Sequence, residues 1–221
     1  SDVCSSDLPM QSVSFFSSDG QLVQGWLGVP EGNGPFPLIL YMHGGPQTVA
    51  DDSFSAPAQS WLDHGFAFFT LNYRGSTTFG KAFQEQIWGN LGHWETEEMV
   101  AAREYLVKQG IALPSAVLLN GWSYGGYLTL FALGKKPGLW AGGLAGAPMA
   151  DLAVQYEDAS EMMRRWQRTL LGGTPDEKPG VYARSSPITF AASVDAPVMI
   201  IQGRNDSRTP ARPVEIGRAH V

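Results

Sequence analysis

The chain contains short runs that are apolar at nearly every position: FPLILYM (36–42), FAFFTLN (66–72), AVLLN (116–120) and PVMIIQ (197–202). A strand with one wet face alternates apolar and polar side chains. An unbroken run therefore predicts a strand covered on both faces, as in a parallel sheet flanked by helices. Residues 12–30, SVSFFSSDGQLVQGWLGVP, predict two further strands around a turn at Asp19-Gly20, with Pro30 ending the second.

Helical patterns separate these runs. FSAPAQSWLDHG (54–65) predicts a helix that starts after Pro57 and closes at Gly65. HWETEEMVAAREYLVKQG (93–110) has Glu95, Glu97 and Glu98 near its start, Lys108 in its last turn and Gly110 beyond. An acidic start and a basic end suit the helix dipole, and the glycine suits a left-handed stop. YGGYLTLFALG (124–134), apolar on nearly all sides, predicts a buried helix closed by Gly134 with Pro137 beyond. LWAGGLAGAPM (139–149) fits a glycine-rich strand running into a loop, and DLAVQYEDASEMMRRWQRTLLG (151–172) an amphipathic helical excursion. Alternating strands and helices imply a doubly wound α/β fold, a mostly parallel sheet with helices on both faces. Repeats, low-complexity tracts and linkers are missing from the pattern, so it reads as one domain.

Composition narrows the functional classes. At 221 residues, with 43% hydrophobic and 16% charged residues, the chain can bury a substantial core and is not of disordered composition. A net charge of −6 and a pI near 5.1 argue against a nucleic-acid surface or an anionic membrane as partner. No apolar run approaches the roughly 20 residues of a membrane span, so a soluble chain is expected. The single cysteine, Cys4, excludes an internal disulfide framework.

The two ends call for separate treatment. Asp2 to Leu8 can be encoded by a DNA string whose reverse complement, with one G added in front, encodes Glu215 to Val221. That inverted repeat resembles a sequencing-library adapter, so residues 1–8 and 215–221 are read as non-native. Cys4 and His220 then lie outside the native sequence, which is expected to cover residues 9–214.

The chemistry centres on Gly121-Trp122-Ser123-Tyr124-Gly125, a G-x-S-x-G pattern between a predicted buried strand and a predicted buried helix. A sharp turn there needs glycines and holds the serine hydroxyl above the sheet, close to a helix N-terminus that favours developing negative charge. On its own the pattern is weak, and a plain glycine-rich turn would produce it. The strand-turn-helix context is what makes Ser123 a candidate nucleophile. Such a serine needs N–H donors for an oxyanion. Tyr124 would supply one, and the loop YMHGGP (41–46), after an earlier strand, is placed to supply another, unless it is simply a Gly-Pro turn. VMIIQGRNDSRTP (198–210) ends an apolar strand in a polar loop, which makes Asp206 the candidate for the acid that orients a histidine base. Asp195 precedes that strand, at the wrong end of the sheet, and reads as a turn residue.

At these motifs the chain resembles the catalytic domain of the prolyl oligopeptidase family of serine peptidases, nearest its acylaminoacyl-peptidase and dipeptidyl-peptidase branches. HGGP (43–46), NYRGSTTFG (72–80), GWSYGGY (121–127), SSPITFA (185–191) and IIQGRNDSRTP (200–210) stand in the family's order, and the likeness covers about residues 12–214. It implies an α/β-hydrolase fold, Ser123 as nucleophile, Asp206 as triad acid, and Gly45 and Tyr124 as oxyanion-hole donors. It further implies short peptides as substrates and an N-terminal β-propeller domain that restricts entry to them. No cofactor and no metal is expected, since the histidines form no H-E-x-x-H pattern.

One departure from the family pattern is serious. There the catalytic histidine follows the acid after a further helix and strand. The short stretch after Asp206 has no room for both, and Pro213 and Gly217 interrupt it. His220 follows the order Ser…Asp…His but is rejected as the base. His43 is expected to shape its loop, His64 to end a helix and His93 to begin one. The catalytic histidine, with the C-terminal strand and helix, is therefore expected to be missing from this chain, which would be nearly inactive by itself. A carboxylesterase is the alternative reading, because the same groups cleave esters, and a non-catalytic hydrolase-fold binding module is another. The compartment stays open, with a cytoplasmic location slightly favoured.

Overall fold

The computed structural model of the protein describes residues 9–218; Cys4 and His220 fall outside them. The strands are β1 (Gln11–Phe16), β2 (Leu22–Gly28), β3 (Phe36–Met42), β4 (Ala67–Asn72), β5 (Ala112–Trp122), β6 (Gly142–Gly146) and β7 (Val198–Ile201). They form one seven-stranded sheet in the order β1-β2-β4-β3-β5-β6-β7. The β1–β2 and β2–β4 pairs are antiparallel, and the rest of the sheet is parallel.

Helices α1 (Ala56–Asp63), α2 (Lys81–Glu85), α3 (His93–Lys108), α4 (Tyr124–Lys135), α5 (Leu152–Asp158), α6 (Glu161–Leu171) and α7 (Pro179–Ser185) lie between the strands, with a 3-10 turn at Pro187–Ser193, and α8 (Arg212–Arg218) follows β7. Within the unbroken apolar runs, alternate residues serve opposite faces. Leu38, Leu40 and Met42 of β3 and Phe69 and Leu71 of β4 enter the core that holds α3 and α4. Ile39 and Phe68 pack on the other face, against Ala58 and Leu62 of α1. All residues of β4 are buried. Each such side chain contributes about 2 kcal/mol relative to exposure, which is why apolar residues serve both faces of the central strands.

The predicted strands and the helices at 54–65, 93–110 and 124–134 are all present, but the run at 197–202, expected to be covered on both faces, forms a largely exposed strand, β7. Several details differ. The excursion at 151–172 is two helices: Ala159 turns extended (ψ 152), and Ser160 caps α6 by accepting from the Met163 N–H. A serine competes for backbone hydrogen bonds inside a helix and serves better at its start. Gly134 does not close α4, which continues to Lys135. It lies inside the helix, and it is glycine because the Phe190 backbone passes so close that a Cβ there would sit 2.6 Å from the Phe190 carbonyl oxygen. Glu95 and Glu98, read from the sequence only as an acidic helix start that suits the dipole, are fully buried. Helices α2, α7 and α8 and the 3-10 turn were not expected. Helix α8 runs on through Glu215 to Arg218, and Arg212 at its start pairs with Glu157 and Asp158.

Candidate active site

Strands β3, β4, β5, β6 and β7 run in the same direction, so the loops after them gather at one edge of the sheet, where ligands bind in open α/β folds. His43, Gly44 and Gly45 follow β3, Arg74 and Ser76 follow β4, Ser123 follows β5, and Asp206 lies in the loop after β7. The structure thus brings the candidate groups to a common edge.

Ser123 has φ 57° and ψ −116°, a backbone conformation that costs a non-glycine residue about 1–3 kcal/mol. Two hydrogen bonds and the start of α4 hold it there. The Ser123 N–H donates to the Gly146 carbonyl at the end of β6 (2.8 Å), the Tyr127 N–H donates to the Ser123 carbonyl (2.9 Å), and α4 begins at the next residue. The glycines around the serine answer to close backbone approach. A Cβ on Gly121 would lie 2.3 Å from the Gly125 carbonyl carbon, and one on Gly125 would lie 2.0 Å from the Met42 carbonyl oxygen. The turn is therefore clamped between β3 and the start of α4. Its two aromatic neighbours differ in role. Trp122 is exposed and packs over Gly146, whereas Tyr124 is fully buried.

The HGGP loop abuts this turn through Gly44, where a Cβ would come within 3.7 Å of the Ser123 Cβ. Gly45 is glycine for a different reason, its φ of +113°. His43 shapes the loop, as expected from the sequence. Burial drives its pKa down to about 4, so the ring is neutral. Its Nδ1–H donates to the Gly44 carbonyl (2.8 Å) and its Nε2 accepts from the Ser76 hydroxyl (2.9 Å). Tyr73 stacks on the ring at 4.3 Å and donates its hydroxyl to the His43 carbonyl (2.7 Å). His64 bonds the Ser60 carbonyl at the end of α1, and His93 opens α3 beside Trp94. Among the described residues, no histidine is hydrogen-bonded to Ser123 or Asp206.

The Asp206 carboxylate is organised by its own loop. It accepts from the Arg208 N–H (2.8 Å), the Thr209 N–H (2.9 Å) and the Thr209 hydroxyl (2.9 Å). Partial burial pushes its pKa up, but these bonds and the Arg208 charge outweigh it and hold the group below the usual carboxylate value, so it is ionised at neutral pH. Asp195 lies before β7, and its carboxylate accepts from the Gly138 N–H, a contact to a distant loop and not the local turn expected of it.

Behind the site lies a buried ionic cluster that the sequence did not reveal. Arg74, 1% exposed, lies over the Trp94 ring at 4.0 Å. Its guanidinium is paired with Glu98 through Nε and with Asp19 through Nη1 (2.6 Å), and its backbone N–H donates to Glu98 (2.7 Å). Burial works against the Arg74 charge, but the bonds to Asp19 and Glu98 raise its pKa, so it stays protonated. Burial raises the pKa of Glu98 against the opposing pull of Arg74. Three residues along α3, Glu95 accepts from the Tyr124 hydroxyl at 2.6 Å. The only sequence signal for this cluster was a charged residue in NYRGS directly after an apolar strand.

A strand-turn-helix serine over a mostly parallel sheet, in this strand order, defines an α/β-hydrolase fold. Residues 52–216 match the prolyl oligopeptidase family, and the chain belongs to it. It is 28% identical over 184 residues to acylamino-acid-releasing enzyme 1 of Oryza sativa subsp. japonica, covering 79% of this chain and 24% of that protein. It is 31% identical over 217 residues to dipeptidyl aminopeptidase BIII of Pseudoxanthomonas mexicana, covering 91% of this chain and 31% of the relative. Among solved structures, a puromycin hydrolase superposes with a TM-score of 0.91 at 23% identity, over 97% of this chain and 33% of that one. The acylaminoacyl peptidase of Pyrococcus horikoshii does so with a TM-score of 0.88, also at 23% identity, over 97% and 35%. The chain thus spans roughly a quarter to a third of the length of the curated relatives it matches. Among the described residues, no helix is long and apolar enough to cross a membrane.

Proposed function

We propose that the complete protein is a serine peptidase that hydrolyses short peptides through an acyl-enzyme on Ser123. The observation that carries this reading is the backbone of Ser123, held at positive φ on a clamped turn between β5 and α4, with Gly44 packed beside it. In this reading the Ser123 Oγ attacks the peptide carbonyl carbon and its proton passes to a histidine of the complete protein that follows Asp206 in sequence. The N–H groups of Tyr124 and Gly45 receive the oxyanion. The C–N bond then breaks, the amine leaves with the proton from the imidazolium, and water attacks the ester by the reverse route. Asp206, ionised and held by Arg208 and Thr209, orients the imidazole. In this reading none of the described histidines, His43, His64 and His93, serves as the base. A β-propeller in the complete protein, expected from the family likeness, would limit entry to short peptides.

The test uses the complete protein. Wild type is expected to cleave peptide anilides and to be labelled by a fluorophosphonate probe, and Ser123→Ala to lose both. Asp206→Asn should keep the fold and lower kcat by about 10³–10⁴-fold. Turnover of p-nitrophenyl esters without anilide cleavage would replace the peptidase by a carboxylesterase. Labelling that survives Ser123→Ala would place the nucleophile elsewhere.

A further inference from the structure

Tyr124 has two jobs in this structure. Its N–H lies at the first position of α4, directly after Ser123, and its side chain is an anchor. The anchor ends in a single carboxylate. The Tyr124 hydroxyl donates to Glu95 Oε1 at 2.6 Å, and the Gly92 N–H donates to Glu95 Oε2 at 3.1 Å. Both side chains are fully buried. The ring of Tyr124 is also packed against Tyr73, Tyr127 and, edge-on, Trp166. Glu95 thereby ties the first turn of α4 to the first turn of α3.

We propose that Glu95 is a positioning residue of the active site: its carboxylate, by holding the Tyr124 hydroxyl and the Gly92 N–H together, sets the place of the Tyr124 N–H that faces the oxyanion. This rests on the proposed function, in which that N–H is a donor to the tetrahedral intermediate.

The ionised form is the one that fits. Two donors converge on Glu95, one on each oxygen, and a carboxylate accepts both. A neutral carboxyl carries a proton on one oxygen, and there it opposes whichever donor stands. If it donates to the tyrosine oxygen instead, the tyrosine's own proton is left without an acceptor in a dry site, an arrangement that costs free energy. Protonation therefore loosens one of the two ties.

The charged and titratable groups facing Glu95 are Arg74 and Tyr73 after β4, Tyr124 and Tyr127 from α4, and Glu98 from its own helix. Burial raises Glu95, while the bonds from Tyr124 and Gly92 and the Arg74 charge pull it back, leaving a pKa of about 7. The positioning carboxylate thus changes state in the pH range in which a histidine base also does. It is ionised above that range and protonated below it, so its contribution is expected to fade as pH falls.

The experiment measures kcat and KM of the complete protein on a peptide anilide from pH 5 to 9, for wild type, Glu95→Gln, Tyr124→Phe and the double variant. Ser123→Ala is the control for the underlying reading. In wild type, base and Glu95 both titrate, so log kcat should fall on the acid side with a slope steeper than one over the range in which Glu95 takes up its proton. Glu95→Gln should lower kcat at pH 8 by about 10- to 100-fold, the range expected for a misplaced oxyanion donor, with KM changed less than about 2-fold. Its acid limb should have a slope of one. Tyr124→Phe removes only the hydroxyl and should do the same, and the double variant should be no worse than either single one. If Glu95→Gln does not fold, Tyr124→Phe carries the test, since its kcat loss, unchanged KM and shallower acid limb are predicted alike. Wild-type kcat and slope in whichever variant folds, with Ser123→Ala inactive, overturn the role of Glu95 and leave the peptidase reading intact. Multiplying losses in the double variant overturn it too. An active Ser123→Ala overturns both.

Discussion

The two candidate catalytic groups stand on regions of opposite character. Ser123 lies over the middle of the sheet, where β4 is wholly buried and the glycines of the turn touch backbone on every side. Behind it, Arg74, Glu98, Glu95, Tyr73 and Tyr124 form a buried polar layer that links the loops after β3 and β4 to α3 and α4. Asp206 follows β7, which pairs only with β6 among the described residues and leaves Val198 at 36%, Met199 at 57% and Ile201 at 47% exposure. Its carboxylate is held by residues within its own loop. The comparison separates two ways of placing a reactive group. The strained serine needs surroundings that over-determine its backbone, whereas an acid that accepts local N–H groups needs only a short turn.

The contrast predicts unequal responses to substitution. The largest is expected at Gly125→Ala, whose Cβ would fall 2.0 Å from the Met42 carbonyl oxygen. A rigid backbone cannot yield there, so a loss of at least about 4 kcal/mol, or failure to fold, should appear in urea denaturation. A midpoint close to wild type would mean that β3 and α4 are not locked together.

Next comes Arg74→Met, which leaves Glu98 buried without its partner. Breaking such a pair costs about 3–5 kcal/mol. Removing the stranded carboxylate as well, in Arg74→Met with Glu98→Leu, should recover part of that loss. If the double variant were less stable than Arg74→Met alone, the cluster would not be a coupled unit. The smallest effect belongs to the outer edge. Met199→Lys on β7 should shift stability by no more than about 0.5 kcal/mol. It should also lower light scattering at high protein concentration, because a charge on an exposed strand edge discourages pairing with another chain. A large loss of stability there would erase the difference between the two regions.

Much of this organisation was legible along the chain. The unbroken apolar runs at 36–42, 66–72 and 116–120 became central strands, and the serine pattern fell at the strand-to-helix turn. Asp195 and Asp206 could be told apart because one precedes and the other follows the same strand. His43, His64 and His93 lie where the sequence put them. The misses have different causes. The break at Ala159-Ser160 is local, a serine that caps α6. Gly134, which resembles a helix stop, is glycine because the distant Phe190 backbone leaves no room for a Cβ.

The sequence by itself determined the order and type of the main elements and the position of the nucleophile turn, because side-chain periodicity and glycine placement are local properties. Only the tertiary structure decided what the acidic residues of α3 do. Read along the helix, Glu95 and Glu98 look like solvated charges at its start. Their burial depends on Arg74, 24 residues from Glu98, and on Tyr124, 29 residues from Glu95. Pairing over such separations is invisible in any local window, and it is what turns two surface-type glutamates into the support beneath the serine.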